Sequence, residues 1–338
     1  MAESSIPHRG VLVTGAGGFI GGTAMEHLIS AGEKVIGTDQ NVEGDLAKKL
    51  HLRRLDNTDK EATRKFVWDN LPDKILHFSG IARPGNVAEN EPLGRKVNID
   101  AVLNLTDAII NARKRDRDYQ PTVLVTGSVE QFGDPDDKSP QVTEENPITE
   151  ESSRNPNTPY GRQKEEMAVR FLQECYKEKI RGYVIVQGQL SGVSPSGEIS
   201  QKTGFLIPDI SSQIATMESE GRKQGVLTTG ILDNMRPILD VNDAIEVYLE
   251  LAKQTPITGE YIVCAPKSRP LKDVLEILIR NSSIELIHKI DEAKGSGGPD
   301  RFYSPKKVIV ATGWNPKIEL ETTIKRVLEF QRRYSKGN

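Results

Sequence analysis

Val11-Leu-Val-Thr-Gly-Ala-Gly-Gly-Phe-Ile-Gly21 decides the fold. A short β-prone run meets glycines at 15, 18 and 21, spaced G-x-x-G-x-x-G, and a helical pattern follows from Gly22 to Ala31. Glycine permits the tight turn and lets the backbone approach a pyrophosphate, whose charge suits a helix N-terminus. An ordinary Gly-rich turn would use the same residues. The strand–turn–helix context selects nucleotide binding, with Gly15, Gly18, Phe19, Ile20 and Gly21 as its residues. Asp39 closes the next strand candidate, where an acid hydrogen-bonds the adenosine ribose hydroxyls. A carboxylate there repels a 2′-phosphate, which favours NAD(H) over NADP(H); a solvated turn Asp is the alternative. Asp56, after the third strand candidate (His51–Leu55), could reach the adenine amine or serve only the turn.

Outward from this stretch, β-rich runs alternate with helical patterns. Strand candidates are 11–13, 34–38, 75–78, 122–126 and 182–186, and helices are expected over 60–70, 98–113 and 159–179. That alternation predicts an α/β fold: a Rossmann-type doubly wound parallel sheet, followed by a smaller C-terminal α/β substrate domain. The expected NAD-binding domain is 1–186, with 234–254 returning to it; 187–233 and 255–338 form the substrate domain. A helix over 208–221, a strand at 225–229, a helix over 243–253, a strand at 260–264 and helices over 271–281 and 320–333 make up the remainder. The acidic, Pro-rich stretch 134–157 reads as a lid or an insertion.

Composition excludes several function classes. Among 338 residues, 45 Lys and Arg face 48 Asp and Glu, a net charge of −3, so neither a nucleic-acid nor a membrane partner is expected. Cys175 and Cys264 fit no metal spacing and read as core fillers or surface thiols, so no metal is expected. No signal region opens the chain and no apolar run reaches the ~18 residues of a membrane span, so a cytoplasmic protein is the expectation.

Ser128, Tyr160 and Lys164 carry the reactive chemistry. Tyr and Lys four apart on a helix share a face, and an ammonium beside a phenol favours the phenolate. Such a Tyr moves a proton near neutral pH while a nicotinamide moves a hydride. A Tyr-x-x-x-Lys pair also recurs by chance; its position downstream of the glycine turn gives it weight.

Together, the Thr14–Gly21 turn, Asp39, Asn98, Ser128 and Tyr160-Gly-Arg-Gln-Lys164 resemble an extended short-chain dehydrogenase/reductase. Arg236-Pro-Ile-Leu-Asp-Val-Asn-Asp243 and Gly313-Trp-Asn-Pro316 are similar to later motifs of that family. Its nucleotide-sugar branch is the best match, through Gly127-Ser-Val-Glu-Gln-Phe-Gly133, Gly204-Phe-Leu-Ile-Pro-Asp209 with Glu218, and Tyr261-Ile-Val-Cys264. GDP-4-keto-6-deoxy-D-mannose reductases and GDP-mannose 4,6-dehydratases are the members resembled.

The resemblance implies roles. Tyr160 protonates the oxygen at the carbon receiving hydride, Lys164 tunes the phenol and binds the nicotinamide ribose, and Ser128 orients the reacting carbonyl. Asn98 supports the site, with an N-cap as the alternative. Glu130 matches the dehydratase acid that removes a C5 proton; pairing with a neighbouring Arg is its plainer reading, and Val129 replaces the small hydroxyl residue that precedes it in dehydratases. Gln189, Phe205 and Arg236 are the substrate-contact candidates, Arg236 for the diphosphate. A structural ion pair is the alternative for Arg236, and core packing that for Phe205. Gln187–Gly192 and Lys294–Pro299 depart from the branch's patterns, which leaves the nucleotide and sugar open. The resulting expectation is an NADH-dependent 4-ketoreductase of a nucleotide-diphosphate sugar. A 4-epimerase or 4,6-dehydratase with tightly held NAD is the alternative, and a non-catalytic nucleotide-binding regulator the remote one. Relatives imply a homodimer through helices 98–113 and 159–179, with Val102, Leu105, Ile109 and Met167 as apolar candidates that equally fit the core.

Overall fold

The structure, a computed structural model, describes residues 9–134, 141–254, 257–295 and 298–335. The chain divides into two units: residues up to Gly133 with Ser153–Val186 and Tyr248–Tyr261, and Asp134–Ser152 with Gln187–Val247 and the chain from Ile262. Segment 134–152 thus groups with the second unit, and the stretch returning to the first is 248–261, not 234–254. Parts of two expected features, at 135–140 and 296–297, lie outside the described residues.

In the first unit, β1 (Val11–Thr14), β2 (Val35–Asp39), β3 (Arg53–Arg54), β4 (Lys74–His77), β5 (Thr122–Thr126) and β6 (Arg181–Gln187) build a sheet. A seventh strand, Gly259–Val263, joins beside β6, and the order continues β5, β4, β1, β2, β3. The pairings from β6 to β3 are all parallel. Val11–Val13, Val123–Val125 and Tyr183–Val186 are fully buried, as strands covered on both faces must be. Strand order reverses between β1 and β4, so the loops after these two strands flank the switch point where such sheets bind ligands.

Helices α1 (Phe19–Ser30), α2 (Asp45–Lys49), α3 (Lys60–Asn70), α4 (Pro84–Glu89), α5 (Glu91–Arg95), α6 (Ala101–Arg115) and α7 (Pro159–Glu178) connect the strands. Helix α1 begins at Phe19, earlier than expected, because Gly18 already adopts the extended N-cap conformation. The third strand shrinks to two residues after His51, whose φ of 50° breaks the expected run. Two short helices, α4 and α5, carry Pro and Gly and lack a 3.6-residue apolar period, which hid them. A π-helical turn, Lys96–Asp100, joins α5 to α6. Val102, Leu105, Ile109 and Met167 are all buried within the chain, so they belong to its core. Among the described residues, no helix is long and apolar enough to cross a membrane.

The second unit packs α8 (Leu206–Ser219), α10 (Leu271–Arg280) and α12 (Leu320–Ser335) around Ile210, Ile214, Val274, Leu278, Ile324 and Leu328. Between them in sequence come α9 (Val241–Gln254), within which the unit boundary falls, and α11 (Lys306–Thr312). A strand unforeseen from sequence, Glu285–Ile290, pairs in parallel with Gln224–Thr229. Glu218 is stapled to Arg332 by bonds of 2.7 Å to both Nε and Nη2, fixing α8 against α12.

Candidate active site

Gly15 enters the turn with φ of 67°, a left-handed conformation that suits glycine. A Cβ on Gly15 would lie 2.6 Å from the Ser79 amide nitrogen, and one on Gly21 would collide with the Gly15 carbonyl. Those two glycines serve close packing. Gly18 differs: a Cβ there meets only the Gly15 oxygen, at 3.2 Å, and as N-cap it contributes no side chain to the first turn of α1. The amides of that turn, at Phe19, Ile20 and Gly21, have no i−4 helical partner and no side-chain cap. Asp39 lies beside the turn, its carboxylate accepting from Gly17 N and Asn41 N at 3.0 Å each. Asp39 is thus fastened next to the glycines. Asp56 is exposed and accepts from Thr58 N at 2.9 Å, a turn contact. An uncapped helix start, a glycine approach and a preset carboxylate fit a dinucleotide.

Helix α7 presents the Tyr–Lys pair. Thr158 caps it, its hydroxyl accepting from Gly161 N at 3.0 Å, and Pro159 starts it. Tyr160 and Lys164 are 7 % and 5 % exposed. Ser128 lies beside the Tyr160 hydroxyl, and its own oxygen accepts from Glu130 N at 3.2 Å as N-cap of a one-turn helix, Val129–Phe132. Ser128, Tyr160 and Glu130 are therefore brought together by two segments far apart in sequence. Among the described residues no arginine pairs with Glu130, so the ion-pair alternative falls.

Lys164 behaves differently from the expectation. Its ammonium donates to the Thr126 carbonyl at 2.8 Å and stands 5.9 Å from the Tyr160 ring centroid. Burial pushes the ammonium down to about 8. Burial also pushes the phenol up to about 12, opposed by the Ser128 hydrogen bond and reinforced by the charge of Glu130. The expected acidification of Tyr160 by Lys164 is thus corrected: loss of water outweighs an ammonium that is engaged elsewhere.

Asn98 lies inside the π-helical turn, so the N-cap alternative falls. Its Oδ1 accepts from Ile81 N at 2.9 Å, and its Nδ2 donates to Gln163 Oε1 at 3.2 Å. A Cβ on Gly80 would lie 3.2 Å from Asn98 Oδ1 and 3.7 Å from Lys164 Nζ, so these side chains meet around the loop that follows β4. π-helical turns concentrate at functional sites. Sequence reading missed Thr126, Gln163 and His77. Gln163 stood within the quoted motif, and its own amide reaches Glu91 O at 3.1 Å. His77 is buried and pushed down to about 3 by burial, with Nδ1 on Thr14 Oγ1 at 2.8 Å; its neutral ring ties β4 to β1 just before the glycine turn.

Gln189, Phe205 and Arg236 belong to the second unit. The Gln189 carbonyl accepts from Leu239 N at 2.9 Å. Phe205 is the half-buried N-cap residue of α8, a helix-starting position outside the core. Arg236 donates through Nη1 to the Met235 and Pro299 carbonyls at 2.7 Å each.

The chain matches the NAD dependent epimerase/dehydratase family over residues 11–264. UDP-arabinose 4-epimerase 1 of Arabidopsis thaliana is 24% identical over 369 residues, spanning 99% of this chain and 80% of that protein. The UDP-glucose 4-epimerase of Lactobacillus helveticus is 22% identical, spanning 97% of this chain and 98% of that protein. Among solved structures, UDP-glucose-4-epimerase from Stenotrophomonas maltophila with bound NAD and formylated UDP-arabinopyranose has a TM-score of 0.80 at 17% identity, covering 97% of this chain and 99% of that one. The fold agrees with the sequence match: the chain belongs to the NAD dependent epimerase/dehydratase family and is an NAD-dependent enzyme of the extended short-chain dehydrogenase/reductase type.

Proposed function

We propose that this enzyme is a 4-epimerase of a UDP-linked sugar. The observation that carries the reading is the match, over nearly the whole chain, to proteins named as UDP-arabinose and UDP-glucose 4-epimerases. The 4-ketoreductase and the GDP-sugar of the sequence reading have no such support.

Bound NAD would supply a hydride acceptor and donor at a single sugar carbon, so no cofactor is consumed. Gly15, Gly18 and Gly21 with the amides of α1 would hold its pyrophosphate, and Asp39 its adenosine ribose. Tyr160 exchanges the proton of the sugar C4 hydroxyl, and Ser128 steadies the same oxygen. Lys164 provides the positive charge that lets the phenol give up its proton, once its ammonium leaves the Thr126 carbonyl. Gln189, Phe205 and Arg236 contact the nucleotide sugar, and Glu130 has no dehydrating role in an epimerase. A homodimer through α6 and α7 accompanies this reading. Val169 and Tyr176 on α7, 44% and 60% exposed, are the apolar surface a second copy would cover; sedimentation of a Val169→Glu variant as a monomer is the expected check.

The test is incubation with UDP-glucose, UDP-galactose, UDP-xylose and UDP-arabinose, with products resolved by proton NMR. Interconversion of C4 epimers without added NADH is expected. NADH oxidation on GDP-4-keto-6-deoxymannose with no epimerisation would overturn the reading in favour of a ketoreductase.

A further inference from the structure

Behind the Ser128 turn lies a charged cluster with no part in the chemistry just described. Glu260, in the strand that returns to the sheet, takes both guanidinium nitrogens of Arg154, Nη1 at 3.1 Å and Nη2 in a shorter contact. Their side chains are only 11% and 18% exposed. The same carboxylate accepts from Gln131 Nε2 at 3.0 Å. Gln131 is fully buried, and its side-chain oxygen has no hydrogen-bond partner among the described residues. Arg154 also lies over the Phe132 ring, 5.4 Å from its centroid.

These contacts converge on one short element. Gln131 and Phe132 belong to the one-turn helix whose N-cap is Ser128, and the Phe132 carbonyl accepts from Asn155 N at 3.1 Å, next to Arg154. Arg154 in turn sits in the strap that leads into α7 and Tyr160. The segments that carry Ser128 and Tyr160 are therefore joined behind the site through Gln131, Glu260 and Arg154.

We propose that Arg154 and Glu260 are positioning residues, a clamp that holds the Val129–Phe132 turn so that Ser128 stays hydrogen-bonded to the Tyr160 hydroxyl. The clamp touches neither substrate nor cofactor. Its consequence for turnover rests on the epimerase reading; its consequence for the Ser128–Tyr160 hydrogen bond does not. A two-pronged, largely buried pair has one preferred geometry, so it suits the setting of a register better than an exposed pair would.

The experiment labels tyrosine at Cζ with carbon-13, assigns the Tyr160 signal by its loss in Tyr160→Phe, and follows it at neutral pH without substrate. Ser128→Ala gives the reference displacement for a lost hydrogen bond. Glu260→Ala is expected to displace the signal in the same direction, and adding it to Ser128→Ala to displace it no further. Glu260→Gln keeps the shape and the Gln131 bond while removing the ion pair, and is expected to give an intermediate displacement if the alanine variant does not fold. A Tyr160 signal at its wild-type position in a folded Glu260 variant would overturn the clamp, whatever happens to melting temperature. In the epimerase assay, kcat is expected to fall about tenfold with KM unchanged. A wild-type enzyme inactive on UDP-sugars, with the displacements still seen, would sink the epimerase reading and leave the clamp standing.

Discussion

Lys164 holds the Thr126 carbonyl at 2.8 Å, one strand end away from the tyrosine it is spaced to serve. The helix places both side chains on one face, yet the nearest strong acceptor for a buried ammonium is the end of β5. The Tyr–Lys motif is thus held in a form in which burial favours the protonated phenol and the ammonium is engaged by the Thr126 carbonyl.

Lys164→Met should abolish epimerisation, by at least about 10²-fold, and stabilise the fold. Burial lowers the Lys164 ammonium from 10.5 to about 8, so holding it charged costs stability below pH 8. That cost fades as the pH rises from about 8 towards 10.5. Thermal melts from pH 7 to 10 should show the variant ahead at pH 7 and the gap closing above pH 8; a variant less stable than wild type at pH 7 contradicts the assignment.

Gly161→Ala tests how closely α7 sits on the Ser128 turn. A Cβ there would lie 2.5 Å from the Glu130 carbonyl oxygen. Since the contact is with backbone, the turn or the helix must move, at about 2 kcal/mol. Turnover should drop together with melting temperature, while NADH binding, measured by fluorescence, stays within about twofold. Full turnover in this variant would show that the Ser128–Tyr160 spacing is not critical.

Asp39→Ala should weaken NADH about tenfold, the scale of a hydrogen bond to a charged group, and reduce its preference over NADPH. Asp39 also fastens Gly17 N, so Asp39→Asn, which keeps an acceptor, should recover part of the NADH affinity without recovering the preference. Paired titrations with the two cofactors decide this; an unmoved preference would reduce Asp39 to a turn residue.

Glu218→Gln should destabilise the protein by about 2 kcal/mol at neutral pH, through the staple to Arg332. Burial alone would raise this carboxyl, but the Arg332 bonds and the Ser283 amide bring it down to about 2. A lowered pKa means stability that is fully present above the ordinary 4.5 and is lost as the pH falls towards 2. The difference between wild type and Glu218→Gln should therefore shrink between pH 4.5 and 2, as followed by denaturant melts.

Strand, turn and helix at the start of the chain were legible because each rests on local physics. Three apolar residues need two covered faces, glycines 15 and 21 leave no room for a Cβ, and Thr158-Pro159 starts a helix whose period puts Tyr160 above Lys164. Family membership followed from those residues and their order. Short pieces were not legible: α4 and α5 have no apolar period, and the Glu285–Ile290 strand shows its pattern only against Gln224–Thr229. Partner choice also lay beyond the sequence. No spacing announces that Thr126 would hold Lys164, that Gln163 would bridge Asn98 to Glu91, or that Glu260 would reach back to Arg154 across 106 positions. Spacing along a helix fixes a direction, whereas the hydrogen-bonding partner and the pKa depend on which groups burial brings within about 3 Å, and only the folded chain decides that.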